Sequence, residues 1–152
     1  MKKIVLTTLL ITTIFLTTGC FGRRTTTVIE CESPEARVVT TLEARGDRVT
    51  TWEQVNYYDR DFYFEVHGYE SDAEVREWFR GDGPRLSTSN INGITFELVD
   101  ITSTQVITRT MFDYTIISRD DMRSIIGDSR ADYISLSASV DSQRTIPGCI
   151  IR

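Results

Sequence analysis

The chain has 152 residues, 40% hydrophobic, 10% aromatic and 26% charged, with 17 basic residues against 22 acidic ones. That length and composition fit one domain with a modest core and argue against two ordinary domains or a disordered chain. Three prolines rule out a Pro-rich linker, and a net charge of −5 argues against a nucleic-acid partner held by bulk electrostatics.

Residues 1–19 have the parts of an export signal: Lys2 and Lys3, then an apolar stretch from Ile4 to Thr18 diluted by threonine. The stretch is shorter than the ~20 residues a spanning helix needs. Leu16-Thr17-Thr18-Gly19-Cys20 resembles a bacterial lipobox, with Thr17 where leucine is usual. In proteins with that motif the cysteine receives a diacylglyceryl group and becomes the new N-terminus; ordinary signal cleavage with Cys20 incidental is the alternative. The expected organisation is a signal peptide over 1–19, a lipidated tether over 20–27 and one domain over 28–152.

Removing the signal takes away both lysines of the chain, leaving fifteen arginines, 22 acidic residues and a net charge of −7. Such a domain is expected to be repelled by an anionic membrane, so that lipid alone would hold it there. Cys31 and Cys149 remain as an even pair near the ends of the folded part, able to oxidise outside the cytoplasm. Two free thiols are the alternative, because sequence cannot supply the Cα separation a bridge requires.

Along the domain, Arg37–Ala44 alternates with the period of a strand, Gly46-Asp47 supplies a hairpin turn, and Arg48–Tyr58 resumes the alternation. A short aromatic strand is expected over Phe62–Val66. Ser71 and Glu74 form a capping box that opens a helix with Val75, Trp78 and Phe79 on one face, stopped by Gly81 and Gly83-Pro84. Ile94–Asp100, with Ile94, Phe96 and Leu98 inward, and Thr104–Ile117 read as a second strand pair. Ser118, Asp121, Met122, Ile125 and Gly127 then repeat the helix punctuation, which suggests an internal ββα duplication; any capped amphipathic helix would look alike. Tyr133–Val140 alternates like a strand, and a helix from about Ser139 to Thr145 competes with it.

The lipobox-like Gly19-Cys20, the segment from Thr41 to Thr50, Asp113-Tyr114 and Ile134-Ser135-Leu136 resemble the YehR-type family of small bacterial lipoproteins. The resemblance spans most of residues 20–148. It implies an α+β domain with a helical C-terminus, which favours the helix after Ser139, and it carries no catalytic residues to transfer. Family members are lysine-rich and have a longer first helix. The expected fold class is therefore α+β, an antiparallel sheet with two or three short helices packed on it.

No residue is assigned a catalytic role, and no metal or cofactor is expected. His67 is the single histidine, and metal sites usually need three or four ligands. With no lysine after the signal, Schiff-base chemistry and Walker A loops drop out. The acid pairs Asp59/Asp61 and Asp120/Asp121 suit a turn and a helix's first turn. Nine of the fifteen aromatics fall between Trp52 and Phe79, several of them consecutive, so in strands they point to both faces. Tyr57, Tyr58, Arg60 and Tyr63 are the candidate binding surface, with burial on both faces as the alternative. Arg45-Gly46-Asp47 spells the tripeptide that integrins recognise, although Gly-Asp is also good turn chemistry.

The expected function is a non-catalytic binding or interaction module on the extracytoplasmic side of a bacterial cell envelope, anchored to the membrane by its N-terminal lipid. An envelope protein or a small ligand is its expected partner, and nucleic acid is not. The alternatives are an envelope hydrolase using acidic residues and a purely structural accessory lipoprotein.

Overall fold

The computed structural model describes residues 22–81, 91–128 and 130–152. The export signal with Cys20, and the Gly83-Pro84 stop, lie outside the described residues. The strands are β1 (Arg24–Glu32), β2 (Ala36–Arg45), β3 (Arg48–Asp59), β4 (Ile94–Ile101), β5 (Gln105–Asp113) and β6 (Cys149–Ile151). The helices are α1 (Arg60–His67), α2 (Asp72–Arg80), α3 (Arg119–Ile126) and α4 (Leu136–Arg144). All strand pairs are antiparallel, in the order β4-β5-β3-β2-β1-β6. The fold is α+β, with four helices where two or three were expected.

Register decides where the core lies, because residues directly opposite on neighbouring strands share a face. Leu42, Trp52, Phe112 and Ile94 form one such row across four strands. Tyr58, Val106 and Ile101 form another on the same face, nearer the opposite end. Met122 of α3 packs with Leu42, Val49 and Ile29, and Leu136 of α4 packs against that cluster. Tyr63 and Phe64 of α1 and Val75 of α2 pack with Val106 and Ile101. All four helices therefore cover one side of the sheet.

Between the two apolar clusters the covered face turns polar. Gln54 donates to Asn56 at 2.8 Å, and Asn56 donates to Thr108 at 3.2 Å. Asn56 and Thr108 are buried, so these bonds satisfy side chains that would otherwise lose water without replacement. The open side carries ion pairs instead: Arg37 with Glu30, and Arg109 with Glu53 and Glu97.

Four expectations change. The segment Phe62–Val66 is helical. The Asp59 carboxylate accepts from the Phe62 amide at 2.9 Å, and Gly68, at φ 69°, closes the helix. The helix buries the neighbours Tyr63 and Phe64 and leaves Phe62 and Val66 exposed, which a strand's alternation cannot do. Strand β1 starts at Arg24, inside the expected tether, because β2 offers partners for the whole of Arg24–Glu32. The tail is helical from Leu136, with Ser135 as its cap, so Tyr133–Val140 is not a strand. A sixth strand, too short to show alternation, follows Pro147. The two Ser-capped helices do each follow a hairpin, and each covers the other hairpin's half of the sheet; α1 has no counterpart in the second half.

Cys31 and Cys149 are disulfide-bonded, 118 positions apart in sequence. They face each other across β1 and β6 at a position without ladder hydrogen bonds, where opposed side chains come closest.

The β2–β3 hairpin is tied to α4. Leu136 donates its amide to the Asp47 carbonyl at 2.7 Å. The Asp47 carboxylate accepts from the Ser137 amide at 2.8 Å and from the Ser135 hydroxyl at 2.7 Å. The integrin-type tripeptide is therefore a capping device: its carboxylate is engaged at a helix N-terminus. The Ser137 amide, then the Ser135 hydroxyl, hold the Asp47 carboxyl below its ordinary range. A carboxyl depressed on folding stabilises above its unfolded pKa and loses that contribution as pH falls through the folded one. Asp47→Asn should thus lower the melting temperature at neutral pH, and the difference should shrink below about pH 4. Thermal melts of both proteins at several pH values check this, and a gap independent of pH would refute it.

Candidate functional site

The four residues proposed as a surface do not come together. Tyr58 and Tyr63 lie on the covered face with ring centroids 5.2 Å apart, and Tyr63 is a core residue. Burial raises the Tyr58 phenol and pushes Tyr63 up to about 12. Tyr57 points to the open side, where the Arg37 guanidinium sits 5.3 Å from its ring centroid. Arg60 lies 4.2 Å over the Phe64 ring and pairs with Asp72 at 2.7 Å. Consecutive tyrosines at the end of β3 were bound to diverge, and helical geometry then carries Tyr63 inward.

The other candidates for chemistry are occupied structurally. His67 packs against Tyr63, with ring centroids 4.5 Å apart, at the end of α1. Asp59 caps α1, and Asp61 lies in its first turn. Asp120 and Asp121 lie in the first turn of α3, where Asp121 accepts a hydrogen bond from the Ser118 hydroxyl at 2.6 Å. Among the described residues no group of three or more His, Cys, Asp or Glu could hold a metal ion.

What the fold does build is a cavity of about 660 Å³ between the sheet and helices α3 and α4. Its floor is Ile29, Leu42 and Trp52 from three adjacent strands, with Tyr114 beside them. Ile125 and Ile126 of α3 form one wall, and Ile134 and Ala138 around the start of α4 form the other. Ser142 and Gln143 add polar groups from α4. Burial pushes the Tyr114 phenol well above its ordinary value, so it is a neutral hydroxyl here.

One buried atom of a residue lining this cavity lacks a partner. The Trp52 indole nitrogen is buried and has no hydrogen-bond acceptor, the one such side-chain atom among the described residues. A buried N–H without a partner costs about 1–3 kcal/mol relative to one that is paired. The cavity beside it, apolar with a few polar groups, has the composition of a small-molecule site. The sequence carried a trace of this: Trp52 shares its side of β3 with Gln54 and Asn56, and adjacent Ile125 and Ile126 exceed what one narrow helix face buries.

The architecture defines a class, an open antiparallel sheet covered on one side by short helices. Two solved structures share it: the Escherichia coli YehR protein and a protein from Streptococcus pneumoniae TIGR4. YehR is 14% identical, with a TM-score of 0.57, over 86% of this chain and 91% of its own. The pneumococcal protein is 12% identical, with a TM-score of 0.56, over 83% of this chain and 84% of its own. No protein-family model and no curated protein matches the sequence. The expected resemblance to YehR is thus met at the level of fold.

Proposed function

We propose that the chain is a membrane-anchored lipoprotein module that binds, without chemical conversion, a small and largely apolar molecule. The observation carrying this reading is the apolar cavity that Ile29, Leu42, Trp52, Ile125, Ile126 and Ile134 build between the sheet and helices α3 and α4. A volume of about 660 Å³ suits a ligand of modest size, and small-molecule sites are commonly apolar chambers with a few placed polar groups. Anchoring would be through a lipid on Cys20, and the Cys31–Cys149 disulfide suits an oxidising, extracytoplasmic compartment. The hydrolase reading has less support, since the acid pairs it would use are spent on helix termini.

Calorimetric titration with a medium-chain fatty alcohol and the matching alkane tests the cavity. Both should bind the wild-type protein, and Ala138→Trp should block both ligands. Failure of the wild type to bind, or unchanged binding by Ala138→Trp, would discard the site. Mass spectrometry of the N-terminal peptide tests the anchor separately: an unmodified Cys20 removes it.

A further inference from the structure

We infer that the hairpin end of the open face is a docking surface for a bilayer with anionic headgroups, so that the domain stands on the membrane in one orientation. Arg24, Arg45 and Arg48 occupy directly opposed positions on β1, β2 and β3. Like charges placed opposite one another destabilise a sheet, and although Arg48 donates to the Asp132 carbonyl at 3.4 Å, an anion from outside would relieve the repulsion. Arg23 adjoins them in sequence. Among the described residues none of the four forms an ion pair, whereas Arg37, Arg60, Arg109 and Arg144 all do. The three strand arginines share a polar cleft with Glu43 and Asp113, and Asp113 is already engaged by Thr115.

The second observation is where residues 22 and 23 lie. Gly46, in the turn between Arg45 and Arg48, donates its amide to the Arg23 carbonyl at 3.2 Å. Gly22 lies against that turn, since a Cβ there would come within 2.8 Å of the Gly46 nitrogen. Cys20 is three residues before Arg23, a reach of at most about 10 Å. This part of the inference rests on the lipid-anchor reading: a lipid on Cys20 would bring the basic end, and no other, to the headgroups. The domain's net charge of −7 then acts as a lever, since repulsion of the acidic remainder and attraction of the arginine end favour the same upright pose.

A chain whose only lysines lie in its signal suits arginine footprinting. The full-length protein, reconstituted in vesicles with 30% phosphatidylglycerol or in phosphatidylcholine alone, is treated with phenylglyoxal and mapped by mass spectrometry. Each arginine near an anionic surface gains about fivefold in partition. Arg23, Arg24, Arg45 and Arg48 should therefore lose about fivefold or more of their reactivity in the anionic vesicles only. Arg37 and Arg144 should be unchanged, and about 0.5 M salt should restore reactivity. Equal reactivity in both vesicles, uniform protection of all arginines, or equal protection by inorganic phosphate without lipid would overturn the docking surface. The Cys20 peptide from the same digest reports lipidation on its own, and protein without lipid, mixed with the same vesicles, still reads the arginine end. Failure of the anchor is thereby separated from failure of the surface.

Discussion

Reducing the Cys31–Cys149 disulfide should cost the domain about 4–5 kcal/mol in the chain-entropy account, for a closed loop of more than 100 residues. For a domain of this size that corresponds to a fall in melting temperature of roughly 15 °C. The bond fastens β6, a three-residue edge strand that could not hold itself by ladder hydrogen bonds alone. It also fixes the end of α4, which runs into β6 through Pro147 and Gly148. Gly148 sits at φ 83° with its α-carbon against the Glu32 carbonyl, where a Cβ would come within 2.7 Å. Cys31→Ser/Cys149→Ser should show the same loss as reductant, and the two treatments should not add. A melt unchanged by verified reduction would mean the strand pairing suffices without the bridge.

Truncating Leu42 to alanine should destabilise the domain by about 2–5 kcal/mol, the range for a fully buried leucine whose surroundings collapse only in part. Leu42 is 1% exposed, packs with Ile29, Val49, Tyr114 and Met122, and forms part of the cavity floor. Relaxation is limited on the sheet side by β1 and β3, so the lost volume should add to the existing chamber. Chemical denaturation gives the stability change. The same variant should accept longer apolar ligands than the wild type if the chamber is the binding site. A cost below about 1 kcal/mol would show that the helices close over the gap.

Much of this fold was legible in the sequence. Alternation marked β2 and β3, and the Gly46-Asp47 turn stands where it was expected. The Ser71 and Ser118 caps open their helices, because a hydroxyl accepting an amide three residues on is a local event. The capping box is offset by one residue: Glu74 accepts from the Glu70 amide, not from Ser71. Where the reading failed, a local cap or a distant contact decided. Phe62–Val66 has strand composition, yet Asp59 caps it and a hydrophobic cluster requires its adjacent rings on one side. Ser135-Leu136 alternates like a strand, but Asp47, 88 positions away, supplies a second cap for the helix. The tyrosines diverged because strand alternation splits Tyr57 from Tyr58 and the unforeseen helix turns Tyr63 inward. The cavity left only a trace in the sequence because its floor and walls come from segments as distant as Ile29 and Ser142.

The polar link through Gln54, Asn56 and Thr108 bears on how the sheet assembles. Both halves of the covered face are apolar and could tolerate several alignments of β3 against β5 on hydrophobic grounds alone. Only the observed alignment sets the Asn56 amide opposite the Thr108 hydroxyl in the buried interior. A slip of two residues keeps every side chain on its own face; one way it sets the Asn56 amide opposite Val106, without a partner, and the other way opposite Thr110, whose hydroxyl can replace that of Thr108. The link therefore works as a one-way stop, blocking slippage toward Val106 at little gain in stability.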